Sequence, residues 1–423
     1  MFNWGAFADA MADGMIVATR KLLADSTGET PYAVALFGFY AETTGPIHLP
    51  CLALATEESV QLDHRFSPPD WEHIDYDWMT TPALGDLQKR LVEAVDGLPR
   101  ADWEEAHARY EQVLLAGMAR VKQALISEGE VAPNVVCFLD DEDGRLFRLS
   151  VTPEELAEHF PHIVEAEAAQ RELTQLPVST QVERLARAAG LVPGRAPESG
   201  PLSSETAIQL LLALGSDAVP AGLAGLVHPE TRWKSARLLA DLHQPIPEVL
   251  DALRSQLSGS DLPGHHWVAR ALARLGAGHE LLERSDLPSA TVASGIAAPY
   301  GAFRDDAVAH LPLDYALLSA GLARDDLAPL LAEEFAPGRG ECTPDAADFP
   351  GALAGLDSPH AVVRRHAVSV LSWAIGPMGQ LDLAAEMRTA TLNRIRSMAV
   401  TDEDEHVRFA AWHGLRFRTP STD

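Results

Sequence analysis

The chain has 423 residues, 47% of them hydrophobic, and a formal net charge of −28. The apolar share excludes wholesale disorder, the length allows two or three domains, and no apolar run of about 18 residues offers a membrane span. Both halves are acidic, with 15 Lys and Arg against 32 Asp and Glu up to Arg195 and 18 against 29 beyond it, which argues against nucleic acid as a partner.

Residues Asn3 to Leu23 carry Phe7, Met11, Met15, Val17 and Leu22 at near-helical spacing and predict an amphipathic helix. Ser26-Thr27-Gly28 breaks it, and Tyr32 to Tyr40, apolar and aromatic-rich, predicts a strand buried on both faces. A turn at Thr44-Gly45-Pro46 leads to a second strand, Ile47 to Ala55, as a hairpin. Thr56-Glu57-Glu58 has the hydroxyl and carboxylates of a helix start.

The stretch from Phe66 to Trp78 combines prolines with large aromatics and carboxylates. Its Asp70, Trp71, Glu72, Asp75, Tyr76, Asp77 and Trp78 are candidate partner-binding residues, because Trp and Tyr dominate interface hot spots. The competing expectation is that the aromatics pin the loop onto the core. Leu84 to Val95 and Asp102 to Ser127 predict helices, the longer one with Trp103, His107, Tyr110, Val113, Leu114, Met118, Val121 and Leu125 on its buried stripe.

Asn134 to Leu139 predicts a strand, with Leu146 to Val151 returning after an acidic turn whose Asp143-Gly144 fits hairpin chemistry. That turn adds Asp140, Asp141, Glu142 and Asp143 to the candidate binding residues, but not as a Ca²⁺ loop, since the twelfth position is Val151 instead of a bidentate Glu. Thr152-Pro153-Glu154-Glu155 then opens a helix. The order predicts an α+β domain over residues 1–190 with a largely antiparallel sheet. The buried strand, Phe66, Ser67, Asp70 and Trp71, the long helix, Asn134 and the Asp-rich turn resemble an uncharacterised bacterial domain family over roughly residues 1–170. Some members of that family lie near polymorphic-toxin loci, which implies an immunity role; the resemblance carries no active site.

Residues 191–201, rich in Pro and Gly, read as a linker. Beyond them, over 202–418, short Leu/Ala-rich helices alternate with breaks. One pattern recurs at Arg232–Ala236–Ala240, Trp267–Ala271–Leu275, Phe303–Ala307–Leu311, Val363–Ala367–Leu371 and Val407–Ala411–Leu415. Steps of four put each set on one helical face, where a small Ala lets a neighbouring helix approach. The Ala anchors are 35, 36, 60 and 44 residues apart, a two-helix period with one insertion, placed in the loop Ala336 to Phe349. With Asp357-Ser358-Pro359 ahead of Val363-Arg364, the segment resembles HEAT repeats, stacked helix pairs that serve as protein-binding scaffolds. The fold class is therefore an α+β domain followed by an all-α HEAT-like solenoid.

The repeated Arg304, Arg364 and Arg408 are expected to bridge neighbouring turns, since Asp recurs nearby. His159 and His162 have a metal-ligand spacing disturbed by Pro161, and the adjacent His265 and His266 point apart. No nucleophile elbow, Walker loop, dinucleotide fingerprint or zincin motif occurs, so no catalytic, cofactor or metal residue is designated. Cys51, Cys137 and Cys342 form no pair motif and the start lacks a signal-peptide pattern, so a cytoplasmic protein is expected. The functional expectation is a non-enzymatic protein-binding protein, an immunity-type inhibitor of a basic toxin or effector. A scaffold in a larger assembly and an enzyme with a site in the first domain are the alternatives.

Overall fold

The computed structural model describes residues 2–41, 45–60, 64–195, 200–257, 263–336, 339, 342–376, 381 and 383–416. The chain divides into two compact units, Met1–Val164 and Glu165–Asp423. The division thus precedes the Pro/Gly-rich 191–201 stretch, of which 196–199 lie outside the described residues. The reason is hydrophobic: Leu173, Leu185, Ala186, Ala189 and Leu191 are buried in the second unit's core.

In the first unit, α1 (Trp4–Asp25) buries Phe7, Met11, Met15 and Leu22 against α3 (Arg100–Ser127), while Val17 points to solvent. Between them in sequence come β1 (Pro31–Phe37), β2 (Cys51–Thr56), β3 (His73–Asp75) and α2 (Pro82–Val95). β4 (Val136–Asp140) follows α3 and completes a sheet of order β3-β2-β1-β4. β1 and β2 pair antiparallel with Val34 opposite Leu54, as does β2 with β3. β1 pairs with β4 in parallel, Ala35 opposite Phe138. The sheet is therefore mixed, because the crossover through α2 and α3 returns the chain to the far side of β1 in the same direction.

Two local expectations are corrected here. The segment after the acidic turn is not a returning strand but α4 (Arg145–Ser150). The Asp141 carboxylate accepts the amides of Arg145, Leu146 and Phe147, each at 3.0 Å, and so starts a helix where a hairpin was expected. Thr56-Glu57-Glu58 starts no helix: Thr56 ends β2, and Glu58 takes the backbone N–H of Thr30 at 2.7 Å, closing a turn. Thr152 does cap α5 (Pro153–His159) in a reciprocal capping box with Glu155.

α6 (Pro161–Thr174) contains the division, and α7 (Val178–Ala188) follows within the second unit. Beyond it come α8 (Ser204–Ala213), α9 (Val219–Leu226), α10 (Arg232–Asp241), α11 (Pro247–Gln256), α12 (His265–Leu272), α13 (His279–Leu282) and α14 (Ser289–Ala297). The last are α15 (Ala316–Leu322), α16 (Ala328–Glu334), α17 (Phe349–Gly355), α18 (Ala361–Ile375), α19 (Ala385–Thr401) and α20 (Glu405–Arg416). α10, α12, α14 and α16 pack each on the next, and α18 packs on α20. Ala236, Ala271, Ala367 and Ala411 are fully buried at these contacts, as the close approach of helices requires.

The third copy of the pattern departs. Asp305 to Leu311 is not helical; a single 3₁₀ turn covers Ala302–Arg304, with Phe303 and Leu311 exposed. Arg304 enters the core instead and takes the Leu311 carbonyl at 3.1 Å, which holds the segment as an irregular loop. Of the long loop expected after Ala336, residues 337, 338, 340 and 341 lie outside the described residues. No helix among the described residues is long and apolar enough to cross a membrane.

Candidate functional site

The first unit disperses the candidate residues of its aromatic segment. Trp71 is buried against Tyr32 and Phe138 and donates its indole N–H to the His64 carbonyl at 3.1 Å. Trp78 is buried and donates to the Pro50 carbonyl at 2.9 Å. Both rings fasten the segment to the sheet, which removes them as contact residues. Asp75 is buried too, accepting from Lys21 Nζ at 2.9 Å and from the Asp77 amide at 3.0 Å. Asp70 accepts from Ser67 Oγ at 2.7 Å, and of the segment's candidate residues Glu72, Tyr76 and Asp77 join it on the surface. In the acidic turn Asp141 is occupied as the α4 cap, and burial, then the Asp141 charge, raises the pKa of Asp140. Glu142 and Asp143 are exposed. His159 ends α5 beside the Phe66 ring and His162 lies exposed on α6, so the pair converges on nothing.

The repeated arginines are structural, each tying its own element to a turn beside it. Arg364 holds Asp402 through two bonds of 2.9 Å and also takes the Ser358 carbonyl. Arg408 donates to the carbonyls of Asp402 and Glu403. Arg304 donates to Asp348 at 2.8 Å, both side chains essentially without solvent. Among the described residues, His310, Asp345 and Asp348 are the one group close enough to hold a metal ion. Arg304 already balances Asp348 there, so the cluster is an ion-pair network with its cation built in.

A different constellation forms in the second unit. Trp233 on α10, Trp267 on α12 and Phe303 on the 3₁₀ turn make an aromatic ladder, with ring centroids 6.0 and 5.3 Å apart. Trp233 is 38% exposed and Phe303 42%. Arg237 lies over the Phe303 ring at 5.2 Å and Arg270 over Trp267 at 5.1 Å, within cation–π range. Behind the ladder is a cavity of about 180 Å³ lined by Arg237, Arg270, Arg274, Ser294, Glu334 and Phe335. Small residues, Ala240, Ala271, Ala297, Ala298 and Gly301, leave the space open between these larger side chains.

Backbone geometry sets the arginines. α12 runs into one wide helical turn, Ala273–Ala277, closed by Gly276 at φ 90°, a conformation that glycine adopts without strain. That turn carries Arg274, buried, with Nη2 2.7 Å from Asp241 Oδ1 yet off the line of a hydrogen bond. Arg237 bonds Asp306 at 2.8 Å and lies 3.5 Å from Asp241. Arg270 bonds a neutral group, Ser294 Oγ at 2.7 Å, and its ion contact among the described residues is Glu334 at 3.9 Å. Burial lowers the Arg270 pKa, and Glu334 offsets this only in part. An under-compensated, largely buried cation beside partly exposed aromatic rings is a place where an anionic group is stabilised.

In the sequence Trp267 and Phe303 occupy packing positions of the repeat. The available signal was their size: the later copies carry Val363 and Val407 at that place, fully buried. No family model, curated protein or solved structure matches the chain.

Proposed function

We propose that the protein is a non-enzymatic protein-binding protein, its helical unit a HEAT-like solenoid that presents the Trp233–Trp267–Phe303 ladder to a partner. The observation that carries this reading is the ladder itself, three large aromatics from successive elements kept partly in solvent with arginines laid over two of them. Aromatic and Arg side chains are the residues that most often dominate binding energy at interfaces. The −28 charge suits a partner of net positive charge, since complementary fields accelerate encounter and weaken with salt. Inhibition of a basic toxin or effector is the form of this function that the sequence resemblance favours, in the cytoplasm.

The experiment is affinity capture from the native host with the full chain and with a Trp233→Ala/Phe303→Ala variant, at low and high salt. One basic partner, retained by the parent chain, released by salt and lost from the variant, is the expected result. Equal capture by both chains sinks the ladder as the binding surface, and several weakly held partners turn the reading to a scaffold.

A further inference from the structure

We propose that the groove behind the aromatic ladder receives a single carboxylate side chain of a partner protein, seated on Arg270 and flanked by an apolar or aromatic neighbour. The inference rests on the ladder being a protein-binding surface and names the chemistry recognised there.

The charge count around the groove selects a monoanion. Arg237 has Asp306, Arg274 has Asp241, and Arg339 at the rim is 64% exposed to water with Glu333 at 3.9 Å, whereas Arg270 has a hydroxyl at 2.7 Å and a carboxylate only at 3.9 Å. Its side chain is 22% exposed, so water compensates it poorly. Only Nε of the Arg270 guanidinium is hydrogen-bonded among the described residues; Nη2 lies 3.9 Å from Glu334, beyond hydrogen-bond reach, so the terminal nitrogens keep donors for a carboxylate. A buried cation that lacks a charged bond gains most from such a ligand, because the desolvation cost has been met in folding.

Size and surroundings agree. A cavity of about 180 Å³ is far below the roughly 300–1,000 Å³ of drug-sized ligand sites and suits one side chain. Half-buried Trp267 and exposed Phe303 line it and stand ready for the neighbouring residue. A nucleic acid fits poorly, since it would bring one phosphate per nucleotide against a −28 chain, into a groove that also carries the Glu334 carboxylate.

The test uses the full chain with its eight tryptophans replaced by 5-fluorotryptophan and followed by ¹⁹F NMR. Trp233→Phe and Trp267→Phe variants assign the two ladder resonances. N-acetyl-Phe-Glu-amide is expected to shift both resonances, and N-acetyl-Phe-Gln-amide to bind about tenfold more weakly or less, the loss of a charge-assisted bond. Arg270→Gln is expected to abolish the difference between the two peptides. Phe303→Ala, at an exposed position that leaves the core intact, is expected to weaken the Glu peptide while the thermal midpoint stays unchanged.

Equal binding of the two peptides, or an undiminished preference in Arg270→Gln, overturns the proposal. So does a short oligothymidylate that moves the same resonances at lower concentration than the Glu peptide. If neither peptide moves them while the captured partner is still lost from the ladder variant, the carboxylate inference falls and the binding reading stands. If partner capture ignores the ladder, the binding reading itself falls.

Discussion

Arg304 and Asp348 form an ion pair at 2.8 Å from which solvent is excluded, whereas Asp241 and Arg274, equally close at 2.7 Å, do not align for a hydrogen bond. Asp348 also accepts the amides of Leu313 and Asp345, so its charge is satisfied from three directions. Burial would raise its pKa, but the Arg304 bond and those amides outweigh burial and leave it below the usual Asp range. At Asp241 burial prevails over Arg274 and the pKa lies above that range. Asp348→Asn should therefore cost about 3–5 kcal/mol, the usual result of stranding a buried charge. Asp241→Asn should cost less, about 1–3 kcal/mol, since it removes the partner of buried Arg274 but also relieves a poorly bonded carboxylate. Urea titrations of both variants at pH 7 give the comparison, and equal losses would contradict it.

The same pair of signs sets the acid limb of stability. Asp348 and Asp402 both have depressed folded-state pKa values, burial being outweighed by Arg304 and Arg364 respectively. A depressed pKa contributes stability that is complete above the unfolded value near 3.9 and lost as pH falls through the folded value. The second unit should thus lose stability as the pH drops below about 4, and Asp348→Asn/Asp402→Asn should flatten that dependence while lowering the plateau. Asp241 works in the opposite sense, its contribution being lost as pH rises from the unfolded value through its raised folded value. Urea midpoints between pH 3 and 7 check the slopes.

What the sequence made legible were features decided within one element. The stripes of α1 and α3, the Thr152 helix start and the buried Ala anchors all follow from periodicity and side-chain type. Leu146 to Val151 has a pattern that suits strand or helix locally. What decides is a distant pairing, β4 beside β1, together with the Asp141 carboxylate aimed at three amides. The groove was illegible for a related reason. Arg237, Arg270, Arg274 and Phe303 come from four elements, and nothing in their spacing says which charges find partners.

Trp71 and Tyr76, five residues apart in one segment, should separate core from surface. Trp71 is 3% exposed and packs on Tyr32 and Phe138, so Trp71→Ala should cost about 3–5 kcal/mol. Tyr76 is 59% exposed, and Tyr76→Ala should remain within about 0.5 kcal/mol. Near-UV circular dichroism through a urea titration reports both, and a tolerated Trp71→Ala would restore that residue as a surface candidate.

Two helical glycines face opposite consequences from one added methyl group. At Gly351 in α17 a Cβ would sit 1.8 Å from the Leu313 carbonyl oxygen, a backbone atom held in place by Asp348 through the Leu313 amide. No rotamer relieves that clash, so α17 would have to move, and Gly351→Ala should cost about 3 kcal/mol or more. At Gly117 in α3 the Cβ would meet Met15 Cε at 2.1 Å, the free end of an adaptable side chain. Helix propensity favours Ala over Gly by about 1 kcal/mol, which offsets the repacking of Met15. Gly117→Ala should therefore be neutral to within about 1 kcal/mol. Urea midpoints of the two variants measure the contrast, and a Gly351→Ala chain as stable as the parent would mean that α17 is not seated on the Leu313 backbone.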